Sequence, residues 1–280
     1  MGFLLKALGR KVIYDVHEDT PRQVLNKYWM PRAVRLPAFW AMSALEWIGG
    51  RVFDALVVAT PQIAKRFPSS KTTVVHNFPL LGELTVGGGI PYAQRANAFI
   101  YVGRIAEIRG AREMVRAIGL LDERYGSRLD LAGAYGPARL ETDLRSIPGW
   151  SRTRSLGWAK RDRVAQLLSE AKVGLVLLHP THSYPDAYPV KMFEYMAAGL
   201  PVIASDFPLW REIVEDAECG LLVDPLDPAE IAEAMNWLLK HGDEAEAMGR
   251  RGKKAVEDRY NWQAEAGKLR QMYRELLRLT

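Results

Sequence analysis

Short apolar runs rich in β-branched residues recur along this chain between longer amphipathic stretches. That alternation admits few folds, because parallel strands need helical crossovers between them. The runs Lys11–Val16, Ala55–Ala59, Thr72–His76, Phe99–Val102, Leu129–Ala132, Val173–Leu178, Pro201–Ala204 and Leu221–Val223 read as strands of an α/β protein. The stretch Leu80–Ala96 holds Gly82, Gly87, Gly88, Gly89 and Pro91 with little periodicity and reads as a linker. It separates an expected first domain, residues 1–92, from a second, residues 93–260. Trp262–Leu279 sets Leu269, Met272, Tyr273, Leu276 and Leu277 at helical spacing, so residues 261–280 are expected as a C-terminal helix crossing back to the first domain.

The strands are unequally shared. Residues 97–260 hold a full alternating βα set, enough for a doubly wound sheet with its ligand crevice at the carboxyl ends of the strands. Only three strands lie ahead of the linker, which leaves a sheet edge and a helix-packing face uncovered. The expectation is a truncated first domain, completed by a segment before Met1 or by a partner chain.

Composition narrows the class. Among 280 residues, 48% are hydrophobic and 25% charged, and no apolar run reaches the roughly 18–20 residues a membrane span needs. The single Cys219 forms no intrachain disulfide and offers no thiolate cluster for zinc, which fits a reducing, cytosolic setting. The start, MGFLLKALGRKV, is interrupted by Lys6, Arg10 and Lys11 too soon for a signal peptide. Residues 1–71 carry 11 Lys/Arg against 5 Asp/Glu, so the net charge of +5 arises at the front. Between Tyr28 and Phe53, Arg32, Arg35 and Arg51 alternate with Trp29, Phe39, Trp40 and Trp47. Either these aromatics pack inward with the arginines solvated, or the helix lies on anionic lipid as a peripheral contact. No basic recognition helix or aromatic RNA-binding motif is present, so no nucleic-acid partner is expected.

The densest candidate site is residues 185–205, PDAYPVKMFEYMAAGLPVIAS, which follow an apolar strand and open a helix. Pro189 suits a first helical turn, leaving the amides of Val190, Lys191 and Met192 to face the crevice, where a helix end binds phosphate. The helix dipole alone is worth about 0.3–1 kcal/mol, so cations must add to it. Lys191 is one. Arg104 and Arg109 are two more, in a loop after the strand ending at Val102, where Gly103 and Gly110 allow tight turns. Two guanidinium groups from one loop grip a diphosphate without a metal.

With these residues in view, the chain resembles the large retaining group of GT-B glycosyltransferases, family 4, often called group 1, over nearly its whole length. The resemblance implies two Rossmann-like domains of the GT-B type, the N-terminal one truncated. It implies a nucleotide diphosphate sugar as donor and transfer, with retention, to the hydroxyl of a glycan or lipid-linked acceptor in cell-envelope polysaccharide or glycolipid synthesis. In this family a Gly-Arg loop and a following Lys-Gly hold the donor diphosphate. Gly103, Arg104 and Arg109 stand in those places, with arginine where lysine is usual. The signature of an acid, seven residues and a glutamate falls on Asp186 and Glu194. Glu194 is then expected on the donor ribose hydroxyls. Asp186, shorter than the usual glutamate, is expected either on hydroxyls of the transferred sugar or as a turn residue before Pro189. His17 stands where the family sets a histidine against the donor sugar, facing the interdomain cleft, and Asp15, Glu18 and Asp19 each remain open as its orienting partner or as acceptor contacts.

His179 and His182 form no ligand set with further residues, and no Asp-x-Asp motif occurs, so neither a metal nor a cofactor is expected. Gly133-Ala-Tyr-Gly136 reads as the crevice rim, since the full dinucleotide fingerprint is absent. Two rival readings stand beside the transferase: a split subunit that binds nucleotide sugar but needs a partner chain, and another GT-B enzyme such as an epimerase or phosphorylase.

Overall fold

The computed structural model describes residues 1–25, 30–84, 90–181 and 184–277. In chain order the elements are α1 (Gly2–Ala7), β1 (Ile13–Val16), α2 (Thr20–Leu25), α3 (Arg32–Val52), β2 (Ala55–Val58), α4 (Pro61–Ala64), β3 (Thr72–Val74), β4 (Ala98–Val102), α5 (Ala111–Leu120), β5 (Arg128–Ala132), α6 (Arg139–Arg145), β6 (Thr153–Gly157), α7 (Arg161–Glu170), β7 (Val173–Val176), α8 (Val190–Ala197), β8 (Val202–Ser205), α9 (Pro208–Asp216), β9 (Gly220–Val223), α10 (Pro228–Lys240), α11 (Gly242–Asp258) and α12 (Trp262–Leu277). They fall into two compact units. The smaller takes the described residues of Met1–Asn77, His182–Tyr188 and Trp262–Thr280, and the larger those of Phe78–Thr181 and Pro189–Asn261.

The larger unit is a parallel six-stranded sheet in the order β6-β5-β4-β7-β8-β9. Chain order reverses between β4 and β7, and the crevice beyond their carboxyl ends is where such sheets bind ligands. Its four central strands are buried on both faces: Phe99, Tyr101, Leu129, Leu131, Leu175 and Ile203 are wholly enclosed, with Met114 and Ile118 of α5 packed against them. Gly174 of β7 admits α8 closely, since a Cβ there would sit 2.3 Å from the Tyr195 ring. Burial pushes the Cys219 thiol up to about 12, so it stays protonated and inert.

The smaller unit is a parallel sheet in the order β1-β2-β3, with Ile13 opposite Ala55 and Leu56 opposite Thr72. Its two faces are covered differently. On one, Val16, Leu56 and Val58 pack with Ile63 and Phe67. On the other, Ala55, Val57 and Val75 pack with Met272, Trp262, Leu269 and Leu276 of α12. The face expected to lie bare is therefore covered by the C-terminal helix, while the outer edge of β1 has no strand partner among the described residues. The expected helix end at Leu279 lies outside the described residues, as do Gly87, Gly88 and Gly89 of the linker.

All eight expected strands form, within a residue or two of their ends, and β6 is a ninth among the described residues. Its TRSLG sequence has one large apolar residue because it is a sheet edge with partly exposed faces, so the apolar-run signal is absent.

Candidate functional site

The crevice at the β4/β7 reversal is held by its loops. After β4 the Gly103 N–H donates to Ala132 O (2.8 Å), Ile105 N–H to Ala134 O (2.9 Å), and Gly136 N–H to Ile105 O (2.9 Å). A side chain on Gly133 would meet Gly103 O at 1.8 Å, so the two loops touch backbone to backbone. Gly110, with φ of +73°, opens α5 against the chain leaving β7, where a Cβ would lie 2.3 Å from Leu177 O. The buried Tyr195 hydroxyl accepts from the Val102 N–H (2.8 Å), and the Tyr101 hydroxyl donates to Arg104 O (2.9 Å).

Cations converge on this frame. Lys191, in the first turn of α8, lies half-buried with its Nζ 5.2 Å from the centre of the Tyr101 ring. A Cβ placed on Gly103 would be 3.5 Å from Lys191 Nζ and 3.9 Å from Arg109 Nη1, so both cations close on the one residue with no side chain in the way. Burial, and then the neighbouring Arg109 charge, bring Lys191 down to about 8 against the opposing pull of Glu194. The Arg104 guanidinium lies against Gly136, where its Nε would be 2.5 Å from an added Cβ. A cleft of about 570 Å³ opens here, lined by Gly103, Arg104, Lys191, Glu194, Gly133 and Trp158 among others. That is ample for a nucleotide-sized ligand.

One turn beyond Lys191, Glu194 is mostly buried, and its Oε1 accepts from Arg161 Nη1 at 2.7 Å. Arg161 is itself gripped by Glu83 in a two-bond fork, Nε to Oε1 at 2.9 Å and Nη2 to Oε2 at 2.8 Å. Arg161 holds the Glu83 carboxyl below the usual range, and the two carboxylates raise Arg161 in turn. Sequence reasoning missed Arg161, 33 residues from Glu194, and Glu83, 78 residues from Arg161, with no motif to join them. It also missed Trp158, 73% exposed in the cleft's lining, directly after Gly157 at the end of β6.

One expectation about the helix end is corrected. Pro189 caps α8 from outside rather than occupying its first turn, and the Met192 N–H donates back to Pro189 O at 2.9 Å. Met192 therefore offers no amide to the crevice, and its side chain is wholly buried. The amides of Val190 and Lys191 remain as first-turn donors.

The smaller unit has a second, smaller pocket of about 130 Å³, lined by His17, Asp19, Arg22, Thr60, Tyr184 and Asp186 among others. His17 Nε2 is 3.0 Å from Asp15 Oδ2, and its Nδ1 lies 3.4 Å from Asn77 Nδ2. Among the neighbouring acids Asp15 is the one in contact with the histidine, while Glu18 takes Gln23, and Asp19 takes Arg66 (2.7 Å) and the Arg22 N–H (3.1 Å). Asp186 belongs to this pocket, 3.6 Å from Arg22. The structure thus gathers Gly103, Arg104, Arg109, Val190, Lys191 and Glu194 in one unit, and His17 with Asp186 in the other. His179 Nε2 lies 3.1 Å from Glu113 Oε2, and His182 lies outside the described residues.

Known proteins share this fold. Residues 91–255 match the family described as glycosyl transferases group 1. The chain is 32% identical over 197 residues to a D-inositol 3-phosphate glycosyltransferase of Corynebacterium diphtheriae, a match covering 66% of this chain and 43% of that protein. It spans less than half the length of the curated relatives it matches. Sucrose-phosphate synthase from Thermosynechococcus elongatus superposes with a TM-score of 0.75 at 24% identity, covering 100% of this chain and 72% of that one. Anabaena HepE in complex with UDP-glucose superposes with a TM-score of 0.74 at 14% identity, covering 99% and 75%. The structural likenesses show the GT-B fold with its Rossmann-like sheets. With a family match across more than half of its residues, including the whole cationic crevice, the chain belongs to the glycosyl transferases group 1.

Proposed function

We propose that the chain is a glycosyltransferase of the retaining family 4, which moves a sugar from a nucleotide diphosphate sugar to an acceptor hydroxyl in glycan, polysaccharide or glycolipid synthesis at the cytoplasmic side of the cell. The observation that carries the reading is the convergence of Lys191 and Arg109 on Gly103, with Glu194 one helical turn further on. A diphosphate laid over Gly103 meets both cations, Arg104 and the first amides of α8, and a ribose beyond it meets Glu194. As the sugar departs, charge grows on the diphosphate, and these preorganised donors stabilise it without reorganising. The reading requires no metal or cofactor. The pocket with His17 and Asp186 is assigned to sugar hydroxyls, and His17 acts as a hydrogen-bonding partner rather than a base. That HepE has been crystallised with UDP-glucose supports a nucleotide-sugar donor and makes uridine the first base to try. A second reading, a donor-binding subunit that needs a partner chain for transfer, is favoured by the outer edge of β1, which has no strand partner among the described residues.

Calorimetry with UDP, GDP, ADP and their common sugars, followed by a donor-hydrolysis assay, tests this. Binding with turnover is the expected result. Binding without turnover favours the subunit reading, and no binding by the folded chain overturns both.

Protonation gives a further expectation. Lys191 is cationic below about 8 and loses its charge above it, and a bound diphosphate favours the charged form. Affinity for a nucleoside diphosphate should hold steady from pH 6 to 7.5 and then fall by up to about tenfold per pH unit above 8, until the raised pKa of the complex is passed. Titrations across that range check it, with Lys191→Arg expected to flatten the profile.

A further inference from the structure

Helix α3 is inverted relative to an ordinary surface helix. Its buried residues are Glu46, Gly49 and Gly50. Glu46, the only acid between Met30 and Phe53, points inward to Arg66 and is 3% exposed. The two glycines let the helix lie directly on aromatic rings, since a Cβ on Gly50 would be 2.8 Å from Phe67 and one on Gly49 2.9 Å from Phe53. The large apolar side chains face solvent instead, with Trp40 64% and Trp47 54% exposed beside Leu36, Leu45 and Ile48. Of the two packings the alternating pattern allowed, the inward one is therefore excluded for Trp40 and Trp47; Trp29 lies outside the described residues. Helix α1 is joined to the end of α3 through Phe3 on Phe53 (ring centres 4.9 Å apart) and Lys6 on Asp54 (2.6 Å), and it exposes Leu4 and Leu8 as well.

The charge around this apolar surface has one sign. Arg10, Lys11, Arg32 and Arg51 are exposed, and Arg51 stacks on Trp47 with its guanidinium carbon 3.7 Å from the ring centre. No exposed acid lies on either helix. We propose that the face of α1 and α3 docks on an anionic lipid surface, with the tryptophans and leucines at the headgroup boundary and the arginines on phosphates. The charge decides among occupants: a second copy would press like charge on like, whereas an anionic bilayer complements both the basic groups and the apolar area between them. No helix among the described residues is long and apolar enough to cross a membrane, so the contact is a lateral one. The inference rests on this helix surface alone and stands apart from the nucleotide site.

The test is co-sedimentation of the chain, without nucleotide, with vesicles of phosphatidylcholine alone or containing about one-quarter phosphatidylglycerol. Binding to the anionic vesicles is expected, falling at least about tenfold when salt rises from about 50 to about 500 mM. The double variant Trp40→Ser/Trp47→Ser, with far-UV circular dichroism unchanged, should lose at least about tenfold in partitioning, because it removes two interfacial aromatics. Arg32→Glu/Arg51→Glu should do the same on anionic vesicles only. Equal binding by wild type and the tryptophan variant overturns the proposal. So does absence of binding to anionic vesicles, or self-association that the tryptophan variant abolishes while vesicles bind neither protein.

Discussion

Replacing Arg66 by alanine is expected to lower the stability of the smaller unit by about 3–5 kcal/mol, the usual cost of leaving a buried charge without its partner. Arg66 joins Glu46 inside the unit and Asp19 at its pocket, so one guanidinium holds α3 to the loop that follows β1. Glu46 has one oxygen on Arg66, and the Tyr14 hydroxyl beside it is raised by its own burial and by the Glu46 charge. Burial lifts the Glu46 pKa despite Arg66, and in Arg66→Ala only the weaker pull of the Tyr14 hydroxyl would oppose that lift. A carboxyl whose folded pKa exceeds its unfolded one contributes stability at low pH and loses it as pH rises through the folded value. The deficit of Arg66→Ala should therefore shrink on acidification, and adding Glu46→Gln should recover part of it at neutral pH. Urea unfolding at several pH values measures this. A pH-independent loss well under about 1 kcal/mol would show that the pair is solvated and carries no such load.

Why this pair escaped a reading of the sequence is instructive. Apolar residues at helical spacing are ordinarily taken as the inward face, but α3 buries a glutamate and two glycines because Phe53 and Phe67 fill the space beneath it. No one-dimensional pattern distinguishes that from a core helix. Strands β2, β4, β5, β7 and β8 were legible because their apolar runs are buried on both faces, and the polar edge strand β6 was not, for the converse reason. In the crevice, Gly103, Arg104, Arg109, Lys191 and Glu194 were legible because each sits within a few residues of a strand end or helix start, where local chain geometry alone brings it to the crevice. Arg161 and Glu83 reach Glu194 only through the fold. The two acids of the signature part in the fold: Asp186 groups with His17 and Arg22 in the smaller unit's pocket, and Glu194 lines the crevice of the larger unit. The described residues between β7 and α8 form no helix, so no helical period carries the first acid onto the face of the second.

The other large effect separates the parts of the donor. Lys191→Met should weaken both inorganic pyrophosphate and nucleoside diphosphates by about 2 kcal/mol, or about thirtyfold, because it removes a charge-assisted contact that both ligands make. Glu194→Ala should weaken nucleoside diphosphates by about 1.5–3 kcal/mol and leave pyrophosphate unweakened, since a carboxylate accepts from ribose hydroxyls and only repels a phosphate. Arg161 sharpens the contrast. In the free protein it takes one oxygen of Glu194 and is anchored by Glu83, so the carboxylate meets the ribose already oriented. Arg161→Met should therefore resemble a weaker Glu194→Ala, with a loss confined to ligands that carry ribose hydroxyls and absent for a 2′,3′-dideoxynucleoside diphosphate. Calorimetric titration of the three variants with the three ligands yields the matrix. If Glu194→Ala weakens pyrophosphate as much as the nucleotide, the carboxylate is supporting α8 rather than reading the sugar, and unchanged nucleotide affinity in both Lys191→Met and Glu194→Ala would remove the donor from this crevice altogether.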